Sequence, residues 1–222
     1  NLYVQSHSSI NTNSNTVEIR QTTSYPWEGK VELTVNPDKQ EKFAIRLRVP
    51  GWVKSNPVPS DLYAFTDKPQ SVSIQINGKK ESASESDGYS TIVRTWKKGD
   101  KITIDFPMPV RQIKANDKVM DDKGKLAIQR GPIIFCLEGH DQPDQHVLNK
   151  YIPENSTFQV EFDKNLLNGV VVLKGKAREV LEAGKEKETD FTAIPYSTWN
   201  NRGANEMAVW IPSSASYARP NP

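Results

Sequence analysis

Four residues of the types that bind metal ions lie in one short stretch of the sequence: His140, Asp141, Asp144 and His146. Zinc requires three or four well-placed donors, so imidazole and carboxylate groups this close together deserve consideration. Pro143 lies in the middle of the stretch and favours a polar surface loop instead. We therefore predict no metal ligand in this chain.

Catalytic chemistry by side chains is also weakly represented. Paired acid–base hydrolysis needs two carboxylates at a fixed separation, and none of the 27 acidic residues stands out by its context. Asp105 lies on the polar face of a predicted strand, whereas Glu138 follows an apolar strand and is expected to be partly buried. Cys136, the only cysteine, lies in an apolar run and is expected to pack as a small hydrophobe. The sequence has no nucleophile elbow and no phosphate-binding glycine loop. We predict no catalytic residue.

Binding chemistry has better candidates. Exposed aromatic faces suit stacking on ring-shaped ligands such as sugars. Trp199 lies in a loop-like stretch with the hydrogen-bonding residues Asn201 and Arg202, and Trp52 follows the end of a predicted strand. These four residues are the predicted binding residues, for a sugar or for a neighbouring domain. Packing of both tryptophans against a core or a domain remains the alternative.

Composition excludes some partners. The net charge is +2, from 29 basic and 27 acidic residues that are interspersed, so we expect no nucleic-acid partner. No apolar run approaches the roughly 20 residues that span a bilayer, so we expect no membrane partner. A lone cysteine says little about the redox compartment. The compartment stays open, with a periplasmic or secreted location as one candidate for the parent protein. The chain starts at Asn1 without a signal-like segment, and we interpret it as a piece of a longer polypeptide.

The elements that would position these residues are strands. Apolar and polar residues alternate with period two, as in half-buried antiparallel strands. The apolar members are Val31, Leu33 and Val35; Phe43, Ile45, Leu47 and Val49; Val72, Ile74 and Ile76; and Ile102, Ile104 and Phe106. Asn77-Gly78 and Asp87-Gly88 are typical hairpin turns. Residues 177–183 are the best helix candidate but are predicted as strand followed by turn. The predicted fold class is all-β, with two antiparallel, jelly-roll-like β-sandwich domains.

The predicted domain limits follow a charged turn region between residues 115 and 125. Residues 1–118 form the first predicted sandwich and residues 119–212 the second, whose last strand could return to the first. The apolar run at residues 170–173 is expected to be a central strand of the second sandwich. Residues 213–222 are expected to be a fraying tail.

Several stretches resemble the C-terminal part of glycoside hydrolase family 127, the β-L-arabinofuranosidase-like proteins. They are residues 45–52, 72–78, 96–111, 129–139, 192–203 and 206–210, including Gln129-Arg130-Gly131-Pro132 and Trp199-Asn200-Asn201-Arg202-Gly203. The matches follow the order of the family and extend to about residue 212.

The resemblance implies an architecture and a chemistry. Such proteins carry an N-terminal (α/α)6 catalytic barrel followed by β-sandwich domains. Their hydrolysis retains configuration and uses a cysteine nucleophile, whose thiol is acidified by a zinc ion held by thiolates and a glutamate, with a second glutamate as acid and base. The barrel includes an adjacent Cys-Cys pair, which this chain lacks, and Cys136 matches a strand position rather than the nucleophile. The resemblance therefore assigns no catalytic residue and no cofactor here, and places the zinc in the missing barrel.

The leading hypothesis is a non-catalytic accessory region of a bacterial glycoside hydrolase, which braces its own N-terminal catalytic barrel. The parent protein would be an enzyme, and the fragment alone would not. Carbohydrate and a second copy of the chain are the other candidate partners. Two alternatives remain: an independent carbohydrate-binding module, and a protein-interaction domain.

Overall fold

The computed structural model describes residues 3–54 and 57–219. Contacts within the chain define two compact units. Unit 1 comprises Asn1–Lys54 and Pro69–Met108, and unit 2 comprises Ser55–Lys68 and Pro109–Pro222. Strands and short 3₁₀ turns make up the regular structure, with no α-helix among the described residues.

The strands are numbered along the chain. They are β1 (Ser6–Asn11), β2 (Thr16–Thr23), β3 (Lys30–Pro37), β4 (Glu41–Arg48), β5 (Tyr63–Phe65), β6 (Ser73–Ile76), β7 (Lys79–Lys80), β8 (Ser84–Ser86), β9 (Tyr89–Trp96), β10 (Asp100–Asp105), β11 (Val110–Ala115), β12 (Lys125–Arg130), β13 (Ile133–Glu138), β14 (Lys150–Tyr151), β15 (Gln159–Asp163), β16 (Val170–Val180), β17 (Glu186–Pro195), β18 (Met207–Ala208) and β19 (Ile211–Pro212). The 3₁₀ turns are Gly51–Val53, Met120–Asp122, Gly139–Asp141, Glu182–Gly184, Tyr196–Thr198 and Ala215–Tyr217.

Unit 1 contains two antiparallel sheets. One has the strand order β1-β2-β3-β10-β6-β7, and the other has the order β4-β9-β8. The alternating apolar residues of both sheets meet in one core, in which Val31 and Ile102 come from the larger sheet and Leu47 and Trp96 from the smaller. This shared core is what period-two alternation predicts, because one face of each strand must be buried.

The hairpin turns of unit 1 agree with their residue types. Asn77 and Gly78 both have positive φ, at 50° and 78°, and they join β6 to β7. Asp87 and Gly88 do the same between β8 and β9, with φ of 54° and 77°. Two consecutive residues with positive φ are the requirement of a type I′ hairpin, so the predicted turns are confirmed.

Unit 2 is built on one antiparallel network with the order β14-β16-β17-β13-β12-β11-β5, to which β15, β18 and β19 add. The run Val170 to Leu173 at the start of β16 is buried throughout, and β16 lies between β17 and strands β14 and β15. β16 continues to Val180 and is followed by the 3₁₀ turn at Glu182–Gly184, as predicted for residues 177–183. The predicted fold class, all-β with antiparallel sheets in two domains, is confirmed.

The short strand β5 comes early in the chain but belongs to the second compact unit. β5 belongs to unit 2, where Ala64 lies opposite Lys114 and Phe65 lies opposite Ile113 of β11. The predicted domain limits stay a prediction, but the compact units change over at Met108–Pro109, ten residues before the predicted limit. The reason is that β11 pairs with β12 and therefore belongs to unit 2.

The C-terminal strand also stays in unit 2. Ile211 of β19 lies opposite Leu126 of β12, so it does not return to the first unit. Beyond it, the backbone N–H of Ser213 donates to the carbonyl of Gly124 at 2.9 Å, and that of Arg219 donates to the carbonyl of Leu148 at 2.8 Å. The predicted tail is therefore hydrogen-bonded as far as residue 219, and residues 220–222 lie outside the described residues. Within the described part of the chain, no helix has the length and apolar character to cross a membrane.

Candidate functional site

The most elaborate irregular feature of unit 2 is the loop of residues 196–206, which follows β17 and precedes β18. It contains three of the four predicted binding residues, Trp199, Asn201 and Arg202. β13 lies beside β17, and its C-terminal residue Glu138 lies directly under this loop. The loop is therefore anchored to the end of the central sheet.

A buried ion network holds the middle of the loop. The Glu138 side chain has no exposed surface, and its Oε1 accepts hydrogen bonds from the backbone N–H of Asn200 at 3.1 Å and from Nδ2 of Asn205 at 3.0 Å. Its Oε2 accepts a hydrogen bond from the Arg202 guanidinium. The same guanidinium is bidentate to Asp141, with N···O distances of 2.7 and 2.6 Å. One arginine therefore neutralises two carboxylates and joins three segments of the chain.

The protonation of this network follows from its geometry. Burial opposes ionisation of Glu138, but hydrogen bonds from Asn205, Arg202 and the Asn200 backbone outweigh it, and the pKa of Glu138 is lowered. Hydrogen bonding to Asp141 is the largest cause that raises the pKa of Arg202. Glu138 and Arg202 are therefore both charged at neutral pH, which is the state in which the hydrogen bond between them is strongest.

The far end of the loop has a second anchor. Oε2 of Glu206 accepts hydrogen bonds from the backbone N–H groups of Val147 and Leu148, at 2.7 and 3.2 Å. Its Oε1 lies 3.3 Å from Nδ1 of His146. Burial raises the pKa of Glu206, but these backbone and imidazole contacts outweigh it and the net shift is downward. The middle and the far end of the loop are thus fixed by carboxylates.

Two aromatic rings lie at the start of this fixed loop. Tyr196 and Trp199 have ring planes within 6° of each other and centroids 6.4 Å apart. The 3₁₀ turn that contains Tyr196 places its carbonyl 3.3 Å from the backbone N–H of Trp199, and this contact sets the spacing of the two residues. Tyr196 is 44% exposed and Trp199 is half-buried. Tyr196 was not among the predicted binding residues. Its position three residues before Trp199 was the only feature of the sequence that could have indicated that the two rings lie together.

The other predicted binding residues have different surroundings. Asn201 is exposed, and its Nδ2 donates to the carbonyl of Thr198 at 2.9 Å. Trp52 lies in unit 1, where its Nε1 donates to the Tyr25 hydroxyl at 3.2 Å and its ring meets that of Phe106 edge-on at 6.0 Å. Trp52 therefore packs at the edge of the unit 1 core, and its predicted binding role stays a prediction.

The polar stretch considered for metal binding is a structural ion cluster. Asp144 accepts two hydrogen bonds from Nζ of Lys150, at 2.5 and 2.7 Å, and the lysine side chain has no exposed surface. Asp141 is occupied by Arg202, and His146 by Glu206. Within residues 3–54 and 57–219, no three histidine, cysteine or acidic side chains form a group that could hold a metal.

Cys136 is buried within the sheet of unit 2. The residue is fully buried in β13, opposite Ile194 of β17. Burial is the largest cause that raises its pKa to about 12, and the negative charges of Glu138 and Asp141 add to it. A thiol with this pKa is protonated at neutral pH and is a poor nucleophile.

A second surface of unit 2 is apolar. Tyr63 of β5 stacks on Trp210, with centroids 5.5 Å apart and planes within 25°. Leu62 is 41% exposed, and its carbonyl accepts a hydrogen bond from the backbone N–H of Asn116. Met120, which follows Asn116 by four residues, is 72% exposed. Val58, at the start of the same segment, is also exposed. We call Val58, Leu62, Tyr63, Met120 and Trp210 the β5 apolar surface.

A groove of about 610 Å³ lies against β16 and β17. Its lining includes Lys176 and Asp190, which form an exposed ion pair at 2.6 Å. It also includes Phe191, which packs against Phe158 with centroids 6.0 Å apart. The lining contains both basic and acidic side chains, so the groove offers little electrostatic selectivity for a charged ligand.

Comparison with family models identifies both halves of the chain. The model described as "Beta-L-arabinofuranosidase, GH127 middle domain" matches residues 1–108. The model described as "Glycoside hydrolase family 127 C-terminal domain" matches residues 110–212. A non-reducing end β-L-arabinofuranosidase from Bifidobacterium longum subsp. longum is 28% identical, and the alignment covers 86% of this chain and 30% of that protein.

Solved structures give the same result. A GH127 β-arabinofuranosidase superimposes with a TM-score of 0.93 at 34% identity, over 100% of this chain and 36% of that one. A GH127 β-L-arabinofuranosidase from Geobacillus stearothermophilus T6 gives a TM-score of 0.84 at 36% identity, over 95% of this chain and 33% of that one. The chain therefore spans about a third of the length of the relatives that it matches.

Proposed function

This chain belongs to glycoside hydrolase family 127 as its middle and C-terminal domains, and we propose that it is the non-catalytic accessory region of a β-L-arabinofuranosidase. In this proposal it braces the catalytic domain of the same polypeptide. The position of the matched domains supports the proposal, because a middle domain follows another part of the enzyme. The zinc that the resemblance implies would lie in that other part, since the described residues offer no group of three metal ligands.

The observation that carries this proposal is the β5 apolar surface. Stable contacts between domains bury a core of aromatic and aliphatic side chains and are depleted in charge at the centre. Tyr63 and Trp210 supply a stacked aromatic pair, and Leu62 and Met120 supply exposed aliphatic side chains, as such a contact requires. The occupant we propose is the catalytic domain, which the resemblance implies lies N-terminal to these two domains.

The test uses the full-length enzyme. We expect Leu62→Asp to lower its thermal stability and its activity on an aryl β-L-arabinofuranoside, because a charge would be buried at the domain contact. Val160→Asp is the matched control, because Val160 is an exposed apolar residue of the same unit at 46%, against 41% for Leu62. Equal effects of the two substitutions, or none from either, would contradict the proposal.

The second test concerns catalysis. The isolated 222-residue chain is expected to release no product from an aryl β-L-arabinofuranoside, because its single thiol is buried and protonated. Any turnover by the pure chain would refute the non-catalytic assignment. If that turnover persists in the variant Cys136→Ser, a group other than the thiol is responsible for it. A second copy of the chain stays a candidate partner, which light scattering of the isolated chain tests.

A further inference from the structure

We propose that Tyr196 and Trp199 form a carbohydrate-binding platform on the loop of residues 196–206. The identity of its ligand, a neutral glycan that contains arabinofuranose, rests on the proposed function. The existence of the platform rests on the geometry of the 196–206 loop alone.

The first argument is the arrangement of the rings. Tyr196 and Trp199 are stacked with planes within 6° of each other, so each ring keeps an outer face on which the apolar face of a sugar unit can pack. Sugar rings have apolar C–H faces, and aromatic side chains provide a broad amphipathic surface for them. Tyr196 is 44% exposed, and Trp199 is partly exposed beside it.

The second argument is the surroundings of the rings, which distinguish a glycan from a protein partner. Ser197, Asn200 and Asn201 are exposed hydrogen-bonding residues around the two rings, and His140 is exposed close to Gly203 of the same loop. A glycan needs such donors and acceptors for its hydroxyl groups, whereas the core of a protein interface is depleted in them. The β5 apolar surface differs in composition, because its exposed members Val58, Leu62 and Met120 are aliphatic.

The third argument is rigidity. The backbone N–H directly after Trp199 donates to the buried carboxylate of Glu138, and Arg202 ties the next residues to the same carboxylate. A loop fixed in this way loses little conformational entropy when a ligand binds, which is the requirement for useful affinity from a few stacking contacts. An ordinary solvent-exposed turn would not need two buried carboxylates beneath it.

The test is isothermal titration of the 222-residue chain with arabinotriose prepared from arabinan, with cellotriose as the unrelated glycan. We expect arabinotriose to bind, and Trp199→Ala and Tyr196→Ala each to weaken binding about tenfold, the loss typical of one aromatic contact. Tyr196→Phe keeps the ring and should bind like the wild type. Tyr217→Ala is the matched control, because Tyr217 is 43% exposed in the same unit.

The outcomes are distinct. Binding that falls in the two alanine variants but not in Tyr196→Phe or Tyr217→Ala supports the platform. The absence of binding to either glycan at ten millimolar (about the weakest affinity a two-ring site would give), or binding that the alanine variants leave unchanged, overturns it. Binding of cellotriose alone would retain the platform and count against the arabinofuranosidase assignment. If the alanine variants instead impair only the full-length enzyme, the rings contact the catalytic domain and the platform is refuted.

Discussion

Replacement of Arg202 by methionine is the sharpest test of how the 196–206 loop is held. Met has a similar length and fills much of the same space, so the substitution removes charge and hydrogen bonds more than volume. Glu138 would keep two neutral donors but would lose its only cation in the network, while Asp141, also buried, would lose its bidentate partner. Breaking a buried ion pair on one side costs about 3–5 kcal/mol. We expect the lower end of this range, because Arg202 is a quarter exposed.

The measurement is thermal unfolding of the wild type and the variants. A loss of about 3 kcal/mol lowers the melting temperature by roughly 6–12 °C for a chain of this size. The matched control is Arg178→Met, since Arg178 pairs with Glu186 at 3.3 Å on an open surface and that pair contributes about 0–1 kcal/mol. The double variant Glu138→Gln with Arg202→Met should be more stable than Arg202→Met alone, because it removes the unpaired charge of Glu138 and leaves only that of Asp141.

The pH dependence provides a further check on the same perturbation. The pKa of Glu138 is lowered in the folded chain, so its contribution to stability is present above the unfolded pKa and is lost as the pH falls through the folded pKa. The stability difference between wild type and Arg202→Met should therefore narrow below about pH 4.3, the usual pKa of a glutamate. Equal melting temperatures for Arg202→Met and Arg178→Met at pH 7 would refute the reasoning.

Three further predictions concern buried groups. In the folded chain Cys136 should not react with Ellman's reagent at pH 8, because burial raises its pKa to about 12, and it should react once the chain is unfolded. Rapid labelling of the folded chain would contradict the burial of this thiol. Gly29→Ala should destabilise unit 1 by more than about 2 kcal/mol in urea unfolding, because the new Cβ would lie 1.8 Å from the backbone carbonyl oxygen of Phe106. Gly51→Ala is the control, because a Cβ at that position meets no atom within 4 Å. Lys150→Met should cost about 3–5 kcal/mol, because the side chain of Lys150 is fully buried. Lys176→Met should leave the unfolding midpoint nearly unchanged, because Lys176 and its partner Asp190 are exposed. Similar midpoints for the two variants would count against this difference.

The sequence predicted those features of the fold that depend on near neighbours. Period-two alternation located four strands of unit 1, namely β3, β4, β6 and β10, and Asn77-Gly78 located a hairpin because both residues tolerate positive φ. The three-residue strand β5 carried no such signal. It forms because Tyr63 and its neighbours pair with β11, about 50 residues later in the chain, and a short strand of this kind is defined by its partner rather than by its own pattern.

The candidate site was predictable only in part, for the same reason. Trp199, Asn201 and Arg202 were recognisable as a loop with an aromatic residue among hydrogen-bonding groups. The carboxylate that organises them, Glu138, is separated from Arg202 by 64 positions, and no local pattern connects the two. The sequence suggested that Glu138 is partly buried, but it could not indicate that the burial is complete or which cation compensates it.

The chemistry of the loop explains why an arginine network, rather than apolar packing, fixes the aromatic platform. Between Trp199 and Glu206 the only aliphatic side chain is that of Ala204, so the loop has almost no apolar surface to bury. Its order must come from polar contacts, and these resist water only when they are buried and multivalent. A guanidinium can serve two carboxylates at once because its five donors lie in one plane, whereas an ammonium acts as a point charge. Arg202 should therefore control glycan affinity without touching the glycan, and a variant that loosens the loop should weaken binding even though both aromatic rings remain.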